Sequence, residues 1–300
     1  MKLIERTVLS TDGIHELYVR YWVPEGEIKG IFQIVHGMTE HIERYDTLMQ
    51  TMATAGFVSF GHNHLGHKMT SSDDDLGFFH EKQGYQYLID DTCKVGKVFS
   101  EEFAGVPHIL FGHSMGSFVV RLAALKMPIH KLIVCGTGGP NPASALGIGI
   151  CKVLKKLRGQ RYVSKLVHTL AFGSYNRRFE GESDYDWLSV NRENIDAYCK
   201  DPYCGFSFTV SGMQDLITLI KLCNSKDWFM AMSKELPVYL IAGADDPVGD
   251  YGKGVRTVYE ELRKRGAKVT MKLYDKMRHE ILNDDCKVEV LEDIVGFVNG

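Results

Sequence analysis

The chain has 300 residues, of which 44% are hydrophobic and 24% are charged, and its formal net charge is −3. This composition is ordinary for a globular protein in water, and the small negative charge gives no electrostatic reason to expect nucleic acid as a partner. The seven cysteines follow no regular spacing, no apolar run reaches membrane-spanning length and the first residues contain no apolar signal segment, so we expect a cytoplasmic protein without a disulfide framework.

Strands and helices alternate along the first part of the chain. Residues 3–10 and 15–23 are predicted to form two strands joined by the turn signal Thr11-Asp12-Gly13. Further strands are predicted at 30–35, 57–60, 109–111 and 131–135, with helices at 45–52 and 88–99, where apolar residues recur at helical spacing. This alternation indicates a mostly parallel sheet that is covered by helices on both faces.

The turn that follows the apolar run 109–111 reads Gly112-His113-Ser114-Met115-Gly116, and a helix-forming run follows it. A strand, a sharp turn and a helix are the context of the G-x-S-x-G nucleophile elbow. So tight a turn pushes Ser114 toward positive φ, and Gly112 and Gly116 let the strand and the helix cross without Cβ clashes. The motif therefore predicts an exposed, nucleophilic Ser114 hydroxyl.

The regular alternation stops after residue 139 and returns near residue 237. Residues 140–232 contain helical stretches but no convincing buried strand, whereas 237–242 and 269–274 are predicted strands, with helices at 252–265 and from 285. An insertion between two sheet strands lies above the C-terminal edge of the sheet, where ligands bind in open α/β folds. We predict an α/β core formed by 1–139 and 233–300, and a helical cap formed by 140–232.

An activated serine needs a general base and an acid that orients the base, and with an elbow of this kind the chain order is serine, acid, histidine. Of the twelve histidines only His279 lies after residue 168, on the loop that follows the strand 269–274. Asp245 and Asp246 follow the preceding strand, and on charge alone either one fits. Pro247 restricts the residue before it to extended conformations, which favours Asp246. We predict Ser114, Asp246 and His279 as the catalytic residues.

An oxyanion hole requires two backbone N–H groups that point at the developing negative charge. The Met115 N–H is one candidate, because it lies at the N-terminus of the helix that follows Ser114. The second should come from the loop after the strand 30–35. Gly37 permits the backbone there to turn the next amide inward, so the Met38 N–H is the second candidate.

Several motifs follow one another in a recognisable order: His36-Gly37-Met38-Thr39-Glu40-His41 with Arg44-Tyr45, His62-Asn63-His64-Leu65-Gly66-His67, Gly112-His113-Ser114-Met115-Gly116, Asp186-Trp187-Leu188-Ser189, Asp201-Pro202, Asp246-Pro247-Val248 and His279-Glu280. Together they resemble the monoacylglycerol lipase and lysophospholipase branch of the α/β-hydrolases, over nearly the whole chain. The resemblance implies an α/β-hydrolase fold, a cap that shapes an acyl pocket, and an acid aligned with Asp246. We predict no cofactor.

The second motif departs from the family pattern Asp-His-x-Gly-His-Gly, because Asn63 and Lys68 stand where that pattern has Asp and its last Gly. Its histidines also support an alternative, since His62, His64 and His67 resemble the zinc-binding cluster of metallo-β-lactamase-fold hydrolases. Gly66 occupies the position where that cluster needs Asp, and no paired downstream ligand set is present. We therefore expect hydrogen-bonded loop histidines and no metal.

The cap combines apolar residues at helical spacing with basic residues over 150–170. A basic amphipathic helix can rest on a membrane surface, but we expect a helix packed on its own domain with a solvated outer face. Five cap aromatics fit either a pocket lining or the cap core; they are Phe172, Tyr175, Trp187, Phe206 and Phe208.

The leading hypothesis is a serine carboxylester hydrolase that acts on a small, lipid-like acyl ester. A second hypothesis is an aminopeptidase-type serine hydrolase, which needs cap carboxylates to hold a free amine, and Glu180, Glu182 and Glu193 are candidates. A third is a non-catalytic binding protein, against which the complete set of Ser114, Asp246 and His279 argues.

Overall fold

An eight-stranded sheet is the centre of the computed structural model, which describes residues 1–179, 181 and 183–300. Its strands are β1 (Lys2–Leu9), β2 (Glu16–Val23), β3 (Gly30–Val35), β4 (Phe57–His62), β5 (His108–His113), β6 (Lys131–Cys135), β7 (Val238–Gly243) and β8 (Val269–Tyr274). They lie side by side in the order β1-β2-β4-β3-β5-β6-β7-β8. β2 pairs antiparallel with β1 and with β4, and all other neighbours are parallel, so the predicted mostly parallel sheet is confirmed.

Ten α-helices are described: α1 (Asp46–Thr54), α2 (Gly84–Glu102), α3 (Met115–Ala123), α4 (Ser144–Arg158), α5 (Lys165–Phe172), α6 (Arg192–Lys200), α7 (Val210–Cys223), α8 (Lys226–Ala231), α9 (Lys253–Lys264) and α10 (Lys287–Asn299). Side chains of α1 and α10 pack in the hydrophobic cluster on one face of the sheet. Those of α2, α3 and α9 pack in the cluster on the other face. The predicted cover of helices on both faces is confirmed.

The central strands explain why the sequence shows continuous apolar runs there. Every residue of β3, β4, β5 and β7 is buried. A parallel sheet that is covered on both faces buries the side chains of both faces, so the alternation of apolar and polar residues disappears. The end of the apolar run in the sequence of β5 therefore indicates where the sharp turn begins.

Helices α4 to α8 occupy the segment between β6 and β7, and the described part of this segment contains no strand. α4 packs against α5 and α7, whereas α7 also packs against α2 and α3. The division into a core of 1–139 and 233–300 and a cap of 140–232 stays a prediction, because α7 contacts both the cap helix α4 and the core helices α2 and α3. Within the described ranges no helix has the length and apolarity to cross a bilayer.

A buried carboxylate lies where α7 meets the start of α2. Asp215 is 3% exposed, and its Oδ2 has no hydrogen-bond partner among the described residues. A Cβ added to Gly84 would lie 2.4 Å from this oxygen, so the carboxylate is packed against the first residue of α2. Burial raises the pKa of Asp215 to about 7, and the nearby peptide groups of Tyr85 and Gly84 and the charge of Lys155 oppose the rise only in part.

This shift predicts a pH-dependent stability. The folded state holds the Asp215 proton more tightly than the unfolded state does. The bound proton therefore stabilises the fold fully below pH 4, and this stabilisation is lost as the pH rises toward 7. We expect Asp215→Asn to be more stable than the wild type at pH 8, by up to about 4 kcal/mol, with a smaller difference at pH 5. Urea unfolding at both pH values measures this difference. Asp74→Asn, at an exposed position, is the control; a difference for Asp215→Asn that does not change with pH would contradict the expectation.

Candidate active site

Ser114 forms the turn between β5 and α3, and its backbone is in an unusual conformation, with φ 53° and ψ −120°. Hydrogen bonds hold the turn on both sides. The Ser114 N–H donates to the Cys135 carbonyl of the neighbouring strand over 3.0 Å, and the Ser117 N–H donates to the Ser114 carbonyl over 2.9 Å. A strained conformation persists only where the surroundings determine it, and such residues concentrate at functional sites.

The two elbow glycines lie where the strand, the helix and the neighbouring loop approach most closely. A Cβ on Gly112 would lie 2.4 Å from the Gly116 carbonyl oxygen, and one on Gly116 would lie 2.1 Å from the Val35 carbonyl oxygen. Both clashes involve backbone atoms, so no side chain fits at either position. This close crossing is the one expected from the motif.

His279 and Asp246 are in direct contact. The distance from His279 Nδ1 to Asp246 Oδ2 is 2.9 Å, and both residues are buried. Asp246 Oδ1 accepts a hydrogen bond from the Val248 N–H over 2.8 Å, so both carboxylate oxygens are held. Asp245, by contrast, is exposed. Of the two candidate acids, the structure therefore brings only Asp246 to the histidine.

Ser114 and His279 both line a cavity of about 820 Å³. Within the described chain the Ser114 hydroxyl makes no hydrogen bond to His279; catalytic hydrogen bonds often tighten only when substrate is bound. Four of the five cap aromatics line the cavity, namely Phe172, Tyr175, Trp187 and Phe206. Phe208 is fully buried and packs edge-on against Phe79, so it belongs to the core.

The loop of residues 36–41, called the oxyanion loop below, runs past Ser114. A Cβ on Gly37 would lie 3.0 Å from the Ser114 Cβ, so the loop approaches the serine closely. The Gly37 N–H donates to Glu40 Oε1 over 2.7 Å, and the Thr39 N–H donates to His67 Nε2 over 3.3 Å. Between them, the Met38 N–H has no acceptor among the described residues, and neither has the Met115 N–H. Met38 and Met115 both line the cavity, as an oxyanion hole requires.

A buried charge network behind the site was not predicted from the sequence, although its residues belong to the quoted motifs. Glu40 Oε1 accepts from the Tyr45 hydroxyl over 2.7 Å and lies 3.3 Å from His113 Nδ1, and Arg44 binds Glu280 with two nitrogens at 2.6 and 2.7 Å. His113 Nε2 is 3.3 Å from the carbonyl oxygen of His279. Burial lowers the pKa of His113, but Glu40 outweighs burial and raises it overall. The network therefore connects the oxyanion loop to the loop of His279.

The histidine cluster proposed as an alternative metal site lies beneath the oxyanion loop. Both ring nitrogens of His67 have hydrogen-bond partners. Nε2 accepts from the Thr39 N–H, and Nδ1 lies 3.1 Å from the Leu65 carbonyl oxygen. Burial lowers the pKa of His62 and of His67 to about 4, so both rings are neutral at pH 7. The described residues bring no three potential ligand atoms of this cluster together. The ring nitrogens of His62 and His64 have no hydrogen-bond partner among the described residues, so the expectation of hydrogen-bonded loop histidines is confirmed for His67 and is wrong for these two.

Carboxylates near the cavity differ from those considered from the sequence. Glu180 and Glu182 lie outside the described residues, and Glu193 is exposed on α6 and does not line the cavity. Asp184 and Asp250 do line it and are exposed to solvent. No spacing signal in the sequence distinguishes these two residues from other surface acids.

Comparison with known proteins gives consistent matches along the chain. A family model described as serine aminopeptidase, S33, matches residues 26–286. A monoglyceride lipase from Rattus norvegicus is 25% identical, and the match covers 91% of this chain and 82% of the relative. A monoacylglycerol lipase from Mycolicibacterium smegmatis is 24% identical, with coverage of 98% and 96%. The structure of a highly thermostable carboxyl esterase from Bacillus coagulans, in complex with glycerol, superposes with a TM-score of 0.94 at 30% identity and covers 100% of this chain and 99% of that chain.

Proposed function

The chain belongs to the serine aminopeptidase S33 family of α/β-hydrolases, and we propose that it is a serine hydrolase that cleaves lipid-like monoesters through an acyl-enzyme. The observation that carries this proposal is the 2.9 Å hydrogen bond between His279 and Asp246 beside a cavity that Ser114 also lines. The match to monoglyceride and monoacylglycerol lipases over at least 91% of the chain supports the ester class.

In the proposed reaction Ser114 Oγ attacks the ester carbonyl, and His279 Nε2 accepts the hydroxyl proton. Asp246 accepts the hydrogen bond from His279 Nδ1–H and stabilises the imidazolium that forms. The oxyanion binds the N–H groups of Met38 and Met115. The C–O bond to the alcohol then breaks, and the alcohol leaves with the proton from His279. Water, activated by the same histidine, releases the acid and restores Ser114.

The cavity lining favours an acyl chain as the substrate's main contact. Apolar side chains from α3, α5 and α7 face it, namely Phe118, Leu170, Phe172, Leu216 and Ile220. Polar residues such as Asn176 and Ser207 also line it, so the cavity offers contacts for both an acyl chain and a polar head group. Buried methylene groups each contribute up to about 0.8 kcal/mol, so four more carbons change specificity by up to about two-hundred-fold.

We therefore expect medium- or long-chain monoacylglycerols to exceed acetyl esters in kcat/KM, and amino-acid amides to be poor substrates. A panel of glycerol monoesters of increasing chain length, assayed beside prolyl and alanyl amides, measures this preference. If an amide is hydrolysed faster than every monoacyl ester, the lipid proposal is wrong.

The aminopeptidase alternative has two findings in its favour, and the first is that the matching family model is described as serine aminopeptidase, S33. The second is that Asp184 and Asp250 line the cavity, and a free amine would need carboxylates of this kind. Both acids are exposed, however, and Lys253 Nζ lies 3.7 Å from Asp250 Oδ2, which partly neutralises its charge. Screened and partly paired carboxylates attract an amine weakly, so the ester substrate is the better proposal.

A lipid surface next to the cap fits the same substrate. α4 packs against α5 and α7, but it also exposes large apolar side chains, with Leu146 at 68% and Leu157 at 71%, close to basic residues such as Lys156. Transient contact of this face with a membrane stays a proposal, supported by that combination of apolar and basic side chains. A cytoplasmic location is likewise a proposal, and the seven free cysteines support it.

A further inference from the structure

Three side chains with metal-binding atoms meet where the oxyanion loop contacts the cap. His41 is the last residue of the oxyanion loop, whereas Asp201 and Cys204 follow the end of α6. One ligand atom from each residue lies within 4.8 Å of the other two. His41 is buried and the other two residues are half-buried, so an ion could reach the group from solvent. This group lies outside the proposed catalytic residues.

We propose that His41, Asp201 and Cys204 form a binding site for a zinc-type divalent cation. Imidazole nitrogen, carboxylate oxygen and thiolate sulfur are the ligands that zinc prefers, and three protein ligands leave a fourth position for water. Zinc–ligand bonds of about 2.0–2.3 Å place tetrahedral ligands roughly 3–4 Å apart. His41 Nε2 and Asp201 Oδ2 are 2.8 Å apart, so this pair must open slightly, and Cys204 must move inward by up to about 1–2 Å.

A second carboxylate orients the histidine for this role. Glu43 Oε2 lies 2.6 Å from His41 Nδ1, on the opposite side of the ring from Asp201. Nε2 lies 2.8 Å from Asp201 Oδ2 and donates a hydrogen bond to it before a cation binds; when a cation replaces that proton, Nδ1–H still donates to Glu43 and the Nε2 lone pair points at the cation. Metal-binding histidines are commonly held by such an outer carboxylate, which fixes the tautomer. Lys68 Nζ lies 2.9 Å from Glu43 Oε1 and balances the charge of that carboxylate.

The charges of the site match a divalent cation. Cys204 is half-buried, and its thiol carries its proton when no cation is present, as free cysteines do at neutral pH. On binding, the S–H bond of Cys204 and the Nε2–H bond of His41 break, bonds from sulfur and Nε2 to the cation form, and both protons pass to solvent, without oxidation or reduction. The thiolate and Asp201 then supply two negative charges against the two positive charges of the cation.

A cation here would strengthen an existing contact between two walls of the cavity. The Gly205 N–H donates to the Thr39 carbonyl over 3.0 Å, and the Tyr198 hydroxyl lies 2.9 Å from Thr39 Oγ1. Thr39, Tyr198 and Gly205 all line the cavity. A ligand that binds only the folded state stabilises it, so we expect the cation to raise the unfolding temperature.

The test uses the full chain, freed of metal with a chelator and titrated with Co²⁺ and then with Zn²⁺. We expect one equivalent of Co²⁺ to produce a thiolate-to-cobalt charge-transfer band that Zn²⁺ removes by displacement. Cys204→Ser should lose the band and weaken Zn²⁺ binding by at least about tenfold. Glu43→Gln should keep the band and weaken binding by about 10–100-fold, as outer-ligand substitutions do. None of these readouts depends on hydrolysis.

Cys199→Ser is the matched control, because Cys199 is an exposed cysteine on the neighbouring α6. It should keep the band and the Zn²⁺ affinity. Circular dichroism checks that metal-free Cys204→Ser is folded, and Asp201→Asn, with weakened Zn²⁺ binding, provides the second variant if it is not. The proposal is overturned if the wild type shows no band, if the band survives in Cys204→Ser, or if Asp201→Asn binds Zn²⁺ as the wild type does.

Discussion

Replacement of Ser114 by alanine should lower kcat for monoacyl esters by about 10⁶-fold, the loss measured for nucleophile substitutions in other serine triads. The expected size follows from the proposed reaction, because without Oγ no acyl-enzyme forms and neither His279 nor the oxyanion amides can replace it. Fold and substrate binding should be retained, since Ser114 lies at the cavity wall and alanine is smaller. Steady-state hydrolysis of a glycerol monoester, with thermal unfolding as the folding check, measures the effect.

Ser207→Ala is the matched control, since Ser207 is an exposed serine that lines the same cavity. Its activity should stay close to that of the wild type. If Ser114→Ala instead keeps more than a small fraction of wild-type turnover while Ser207→Ala loses it, the nucleophile has been assigned to the wrong serine.

Asp246→Asn should lower kcat by about 10⁴-fold with little change in KM, by analogy with triad acids. Asp246 Oδ2 lies 2.9 Å from His279 Nδ1. It accepts the hydrogen bond from Nδ1–H and stabilises the positive charge that develops on the ring. An amide in that position carries no charge and can favour the wrong tautomer. Because Asp246 is fully buried, water cannot replace the lost acceptor. Separate determination of kcat and KM tests this expectation.

Asp245→Asn is the control, because the neighbouring aspartate is exposed. It removes the same charge one residue away and should leave kcat nearly unchanged. The opposite outcome, a large loss for Asp245→Asn and a small one for Asp246→Asn, would assign the acid to Asp245.

Sequence patterns were sufficient for the sheet because its central strands are buried on both faces. β3, β4, β5 and β7 lie close to their predicted bounds, and the turn at Ser114 follows β5 as expected. The pairing of His279 with Asp246 also followed from local information, since the chain order limited the histidine to one residue and Pro247 distinguished the two acids.

The charge network could not be predicted, because it depends on which distant residues meet. Arg44 and Glu280 are 236 positions apart, yet their side chains form a buried pair. The motifs that resemble the family contain both residues, but they do not indicate that the two side chains contact each other. The role of Glu40 in holding the Gly37 N–H became clear only from the 2.7 Å hydrogen bond, which leaves the Met38 N–H free.

Burial of charge is a second feature that sequence patterns miss. Arg121 is fully buried in α3, where periodicity alone would place an arginine at the surface. Its guanidinium donates to the Asn224 side chain over 3.0 Å and lies 4.3 Å from the centre of the Trp228 ring. Conversely, Ile150 and Leu154 of α4 pack inward, whereas Val153 and Leu157, which belong to the same apolar spacing, are exposed.

The central claim is that Ser114 is the single activated nucleophile, and mass spectrometry of a fluorophosphonate-treated wild-type protein tests it most directly. The probe requires a serine that a general base activates, so it should add once, to the peptide that contains Gly112-His113-Ser114-Met115-Gly116, and ester hydrolysis should fall in proportion to labelling. Ser114→Ala should remain unlabelled. An adduct on any other residue, or hydrolysis that persists after complete labelling of Ser114, would contradict the account.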